Sequence, residues 1–194
     1  FTVKEGISGI VTIGATGTYP TLTGAGGLFA AINSGGLTGN LTATIIDASI
    51  TETGANPLFE IAYGCGGPFT LTITPDAGLS TVLSGSSPNP LIDLQGADFV
   101  TIDGINNNGS ALTIRNINTS ASTIRLIYDA SDNTFRNSTI EGAGFISTEG
   151  VINIGAGITT GNDNNTISHN IIRDRSDATF VPYSLVYSSG SSAF

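Results

Sequence analysis

Hydrophobic residues along this chain fall into short alternating runs broken by Gly, Pro, Asn and Asp, the pattern of brief β-strands joined by tight turns. One stretch, Asp132 to Gly142 (DNTFRNSTIEG), returns as Asn164 to Asp174 (NNTISHNIIRD) with the same polar and apolar spacing. Asn133 matches Asn165, Phe135 matches Ile167, Asn137 matches His169 and Ile140 matches Ile172. In each copy a strand turns at a polar pair, Asn137-Ser138 or His169-Asn170, and resumes as a second strand. Asn and Ser suit such corners because they tolerate tight backbone angles and hydrogen-bond the nearby backbone. A single copy cannot bury its own apolar side, so copies must stack.

Three series of such runs align. The first holds PLFEIA (57–62), PLIDLQ (90–95), TIRLIY (123–128), VINIG (151–155) and SLVYS (184–188). The second holds FTLTIT (69–74), FVTIDG (99–104), NTFRN (133–137) and NTISH (165–169), and the third STVLSG (80–85), ALTIRN (111–116), STIEG (138–142) and NIIRD (170–174). Members of a series start about 30 residues apart, within the range of solenoid repeats. Three strands per turn, repeated about four times, predict a triangular prism of parallel strands, and the handedness of strand crossovers makes it right-handed. The fold class is thus all-β, a right-handed parallel β-helix (β-solenoid) with three strands per coil.

Residues 1–40 read differently, as a leading strand at Ile10 to Ile13 followed by a helix. Leu28, Phe29 and Ile32 share one helical face, Thr23 is the candidate N-cap, and Asn33 to Gly36 supplies the stop, which predicts a helix over Ala25 to Asn33. Its place is over the N-terminal end of the solenoid, where a terminal coil needs a cap. Residues 41–194 form the coils. The final run, VPYSLVYSSGSSAF, offers no such cap, so it leaves strand edges exposed. The expectation is that sequence continues past Phe194 or that another molecule stacks there.

Composition narrows the function classes. The 194 residues carry 15 acidic against 6 basic side chains, a net charge of −9, with Lys4 the sole lysine. A phosphate backbone would repel such a chain, which argues against nucleic acid as a partner. No apolar run approaches the roughly 18 residues of a membrane span, which argues against membrane insertion. Cys65 stands alone in a Gly- and Pro-rich turn, so neither an internal disulfide nor a CxxC site can form. Abundant Thr, Asn and Gly, one Lys and no Met or Trp match an exported chain.

Alternation in the first series points Phe59, Ile61, Ile92, Leu94, Ile124, Leu126, Ile152 and Ile154 inward, leaving Glu60, Asp93, Arg125 and Asn153 outward. With coils roughly 4.8 Å apart, those four form one row along the prism, with Asp93 and Arg125 as a cross-strand ion pair. Two carboxylates beside an arginine are also the groups that glycoside cleavage uses. The loops YDASDN (128–133) and GNDNN (161–165) gather Asp129, Asp132 and Asp163, oxygen ligands of the kind calcium takes, although neither the EF-hand spacing nor the Gly-rich calcium nonapeptide is present. No cofactor is otherwise indicated. Thr70, Thr72, Thr74, Thr101 and Thr113 form an outward array interrupted by Asp103 and Arg115. His169, the only histidine, sits at a corner with no triad to join, and Arg173-Asp174-Arg175 is the only arginine cluster.

The phrases GTYPTL with FAAIN, PLIDLQGADFVTIDG and NTFRNSTIEG together resemble the pectin-lyase-like right-handed parallel β-helix, across residues 16–188. They are most similar to secreted β-helix repeat proteins exported by type IX secretion. GTYPTL before a short helix also resembles the start of pectin methylesterases, but no QDTL-, DFIFG- or LGRPW-like phrase supplies that family's acid pair and arginine. The resemblance implies a secreted or cell-surface protein. It fits a non-enzymatic structural or adhesive module contacting a glycan, a surface or another copy of itself, with a polysaccharide lyase or glycoside hydrolase acting on an outer face as the alternative.

Overall fold

The computed structural model describes residues 5–105 and 111–190, so Phe194 lies outside it. The chain begins with β1 (Ile7–Ile13), helix α1 (Leu28–Gly35), β2 (Leu37–Ile45) and β3 (Ser49–Thr51). It continues through β4 (Leu58–Phe59), β5 (Leu71–Pro75), β6 (Ser80–Gly85), β7 (Ile92–Gln95), β8 (Val100–Asp103) and β9 (Ala111–Asn116). Then follow β10 (Ile124–Ile127), β11 (Thr134–Arg136), β12 (Ser138–Gly142), β13 (Ile152–Ile154), β14 (Thr166–Ser168), β15 (Ile171–Asp174) and β16 (Val186–Ser188). From β2 onward successive strands pass from one sheet to the next, so each sheet collects every third strand; β1 joins the sheet of β2, and all named pairs are parallel. Sheet I is β1-β2-β5-β8-β11-β14, sheet II is β4-β7-β10-β13-β16 and sheet III is β3-β6-β9-β12-β15. The protein is an all-β parallel solenoid of about six turns, with one short helix among the described residues.

In-register pairing stacks like on like inside the prism. Leu41, Leu71 and Val100 form one column in sheet I and Ala43, Ile73, Ile102 and Phe135 another. Ile92, Ile124 and Ile152 stack in sheet II, and Leu83, Ile114 and Ile140 in sheet III. These residues are buried, each such side chain contributing about 1.5–3 kcal/mol by leaving water. The sheets have six, five and five strands, against the about four repeats read from the sequence. The difference lies at the N-terminal end, where α1 occupies the stretch that strands fill in later coils, so the first coils lack the full three-strand signature.

The helix also starts later than its N-cap signal suggested. Gly27 is the N-cap and makes no side-chain cap bond. Thr23 is instead buried, its hydroxyl donating to Glu52 Oε2 at 2.6 Å and accepting from the Gly54 amide at 3.0 Å. The Glu52 carboxylate, also buried, takes the Leu22 and Thr23 amides at 2.7 Å each and so ties the segment before the helix to the next coil. Leu28, Phe29 and Ile32 of α1 are buried, and the helix packs on β1 and β4. Gly36 ends it with φ 72° and its N–H on the Ile32 carbonyl; a Cβ there would run into the Ala62 carbonyl, so the chain needs glycine to turn into β2.

Corners are closed by asparagine. Buried Asn133 donates to the Ala97 carbonyl at 2.9 Å and accepts from the Val100 amide at 2.9 Å, one coil earlier, while its own amide donates to Asn165 Oδ1 at 3.0 Å, one coil later. Asn116 does the same work at another corner, bonding Ser87, Asn89 and Ser122 backbone atoms. Asn137 and His169 turn the chain with φ of 56° and 55°. At that corner Asn170 accepts from the Ser138 amide and donates to the Phe135 carbonyl. Replacing Asn133 by Ala would strand two buried backbone groups, and the expected loss is about 2–4 kcal/mol. In scanning calorimetry this gives a melting point lower by about 2–4 °C per kcal/mol for a chain of this size, whereas Thr134→Ala on the outward face should change stability by less than about 0.5 kcal/mol.

Candidate functional site

On the outer face of sheet II, β7, β10 and β13 present Asp93, Arg125 and Asn153 on neighbouring coils, with Asp93 paired to Arg125 and Arg125 to Asn153. Tyr187 extends this row at the far end. Glu60 is not part of it. β4 pairs Leu58 with Leu94 and Phe59 with Gln95, so the alignment of PLFEIA on PLIDLQ is slipped by an odd number of residues. An odd slip exchanges the two faces: Leu58 is buried in the place expected of Phe59, and Phe59 faces outward, 49% exposed.

At the centre of the row Asp93 and Arg125 satisfy one another. Arg125 grips Asp93 with both arms of its fork, Nε to Oδ1 at 2.9 Å and Nη2 to Oδ2 at 2.7 Å, and Gln95 Nε2 adds 2.7 Å to Oδ2. Asp93 is thereby only 5% exposed. Its hydrogen bonds hold the Arg125 guanidinium more firmly protonated than usual, against the opposing effect of burial and with further help from the charges of Asp93 and Glu149. A different carboxylate, that of Glu149, stands beside the row at its Asn153 end. It arrives on the loop between β12 and β13, where it accepts from the Ser122 hydroxyl and from Asn153 Nδ2 at 3.0 Å. Strand alternation cannot reveal a residue that a loop folds back over a sheet, which is why the sequence did not single it out. Asn153 Oδ1 stays buried without a partner.

Glu60 lies instead at the neighbouring corner, in a cleft of about 440 Å³ that it lines with Gly96, Asp98, Tyr128, Asp129, Ser131 and Ile158 to Thr160. Burial pushes the Asp98 carboxyl up, the Ser131 amide at 2.7 Å pulls it back, and the charges of Asp132, Glu60 and Asp129 add to the rise. Burial, then Asp98 and Glu60, push the Tyr63 phenol up to about 12. No basic side chain is part of the cleft lining.

The three calcium candidates do not converge. Asp129 Oδ1 accepts from the Ile158, Thr160 and Gly161 amides at 2.7, 3.3 and 2.9 Å, and Oδ2 from Thr159 at 2.8 Å, so this carboxylate closes the loop that follows β13. Asp132 and Asp163 meet through the Asp132 amide and the Asp163 carbonyl. Among the described residues, no three His, Cys, Asp or Glu side chains are placed to hold an ion together. Of the remaining candidates, His169 is exposed at its corner and Cys65 is exposed and unpaired. Arg173 binds Glu141 at 2.5 Å, and Arg175 donates to the Ile117 carbonyl at 2.7 Å and meets Asp177 at 3.2 Å. No helix is long and apolar enough to cross a membrane among the described residues. Comparisons with protein-family models, curated proteins and solved structures found no match.

Arg125→Met should cost about 2–3 kcal/mol in urea unfolding, because it leaves the buried Asp93 with Gln95 alone. Adding Asp93→Leu should recover most of that loss, since a pair removed together leaves no stranded charge. For Asp129, desolvation is the largest single effect and raises the carboxyl, but the four loop amides together outweigh it and hold it below the usual range. Its stabilising effect is therefore complete above about pH 4, the ordinary aspartate value, and disappears as pH falls through the depressed value. Amide-exchange protection of Ile158 to Gly161 should follow that acid limb, and Asp129→Asn should abolish the limb.

Proposed function

We propose that this chain is a non-enzymatic β-solenoid module, secreted or carried at a cell surface, whose role is structural or adhesive. One observation carries the reading: all the arginines of the chain are spent on its own carboxylates. Arg125 holds Asp93, Arg136 holds Asp103, Arg173 holds Glu141, Arg115 reaches Glu141 and Asp177, and Arg175 meets Asp177. The pairs of Arg125, Arg136 and Arg173 fasten one coil to the next. Together with the others they leave no free guanidinium to neutralise an acidic polysaccharide, and both Asp93 oxygens are occupied, so Asp93 is poorly placed to move a proton. The Thr-, Asn- and Gly-rich, Lys-poor composition supports export.

A rod of this kind works through its exposed surfaces. Its outer faces would meet a glycan or another surface. The coil of β14, β15 and β16 would meet a further coil or a second copy: those strands lie at the sheet edges, and Ile171, Leu185 and Val186 are exposed there.

Across a panel of acidic and neutral polysaccharides, reducing-sugar and unsaturated-uronate assays should detect no product. Turnover abolished by Asp93→Asn or by Asp98→Asn would replace this reading with that of a carbohydrate-active enzyme. In sedimentation analysis the 194-residue chain should self-associate as concentration rises; a monomer throughout would remove the end contact from the proposal.

A further inference from the structure

The outer face of sheet I differs from the other two. Register places Thr42, Thr72, Thr101, Thr134 and Thr166 in one unbroken row, each beside the next. Two residues along, Thr12, Thr44 and Thr74 form a second row, which ends where Asp103 and Arg136 begin. Thr70 precedes β5, and Thr113 and Arg115 belong to sheet III, so the array is longer and less interrupted than the sequence suggested. Hydroxyls recur roughly every 4.8 Å along the prism and, between rows, roughly every 6.6 Å, the advance of two strand residues.

In the first row the side chains are also unspent, whereas in the second Thr12 meets Thr18 and Thr74 meets the Pro75 carbonyl. Outward polar groups of sheets II and III hold one another, as Asp93 holds Arg125 and Glu141 holds Arg173. Among the described residues, by contrast, no hydrogen bond within the protein engages the side chains of Thr42, Thr72, Thr101 or Thr134. Their donors and acceptors must be met from outside. Each hydroxyl stands beside a methyl group, and from Thr42 to Thr134 the backbone is fixed by pairing to both neighbouring coils, so water held between rungs is confined to repeating positions. The rows are uncharged up to Asp103, and no outward residue of the sheet I strands is aromatic, so the ring stacking that grips sugars is missing.

From these features we infer that the threonine face binds crystalline water: its hydroxyls anchor, and its methyls order, a water layer that joins a growing ice surface. The face is preorganised, so little ordering remains to be done on contact. The inference does not depend on the adhesive reading, which is tested on other groups.

Ice-affinity partition tests it: the 194-residue chain and an inert carrier protein are exposed together to slowly growing polycrystalline ice, and thermal hysteresis is measured in parallel. The chain should become enriched in the ice relative to the carrier. Thr72→Lys and Thr134→Lys, introduced on separate coils and each checked for an unchanged melting curve, should lose most of that enrichment, and Thr113→Lys on sheet III should keep it. Exclusion of the chain from ice along with the carrier would overturn the inference. So would enrichment that survives both lysine variants, or binding to cellulose or chitin crystals, lost in the same variants, without enrichment in ice.

Discussion

Coil-to-coil backbone pairing is the constraint on which the rest of this structure depends. A parallel strand two to nine residues long has little stability alone. Each strand acquires its partners from the coil before and the coil after, and in-register pairing converts every position of the repeat into a row that runs the length of the prism. Rows that point inward must be apolar, as in the column from Ala43 through Ile73 and Ile102 to Phe135. At the corners the ladder breaks, and amides that would otherwise be buried without partners are met by Asn116, Asn133, Asn165 and Asn170. These residues reach across one coil, so the corner chemistry is part of the stacking rather than a decoration of it.

The same geometry magnifies whatever stands on the outside. Like charges in one row would repel at every rung, and the chain avoids this by alternating their sign. Asp93 faces Arg125 on sheet II, Asp103 faces Arg136 on sheet I, and Glu141 lies between Arg115 and Arg173 on sheet III. A net charge of −9 therefore coexists with well-neutralised strands. The uncompensated carboxylates gather at a corner instead, where Glu60 and Asp98 line one cleft and burial raises Asp98. Burying Asp93 beneath Arg125 and Gln95 has a further effect: the pair becomes a rivet between coils and ceases to be available for proton transfer.

Loops carry the departures from the repeat. Asp129 captures four amides of the loop after β13, and Glu149 is folded over the outer face of sheet II by the loop after β12. Thr23 gives its hydroxyl to Glu52 rather than to the helix, because a buried carboxylate needs every donor it can find. The Asp129 and Thr23 contacts, and that of Glu149 with Ser122, join residues about one coil apart, a separation at which local spacing rules for caps and turns have no purchase.

The sequence by itself determined the class of fold, the three strand series, the corner residues Asn133, Asn137, Asn165 and Asn170, and the pairing of Asp93 with Arg125. All follow from a period of two within strands and of about 30 residues between coils, and periodicity is a local property that can be read without coordinates. Tertiary structure alone decided which rows are continuous. The odd slip between β4 and β7 removed Glu60 from its expected row, and the assignment of Thr113 and Arg115 to sheet III cleared the face of sheet I. Register and sheet membership depend on how one coil settles on another, and a one-residue shift there reverses inside and outside while leaving the local pattern unchanged.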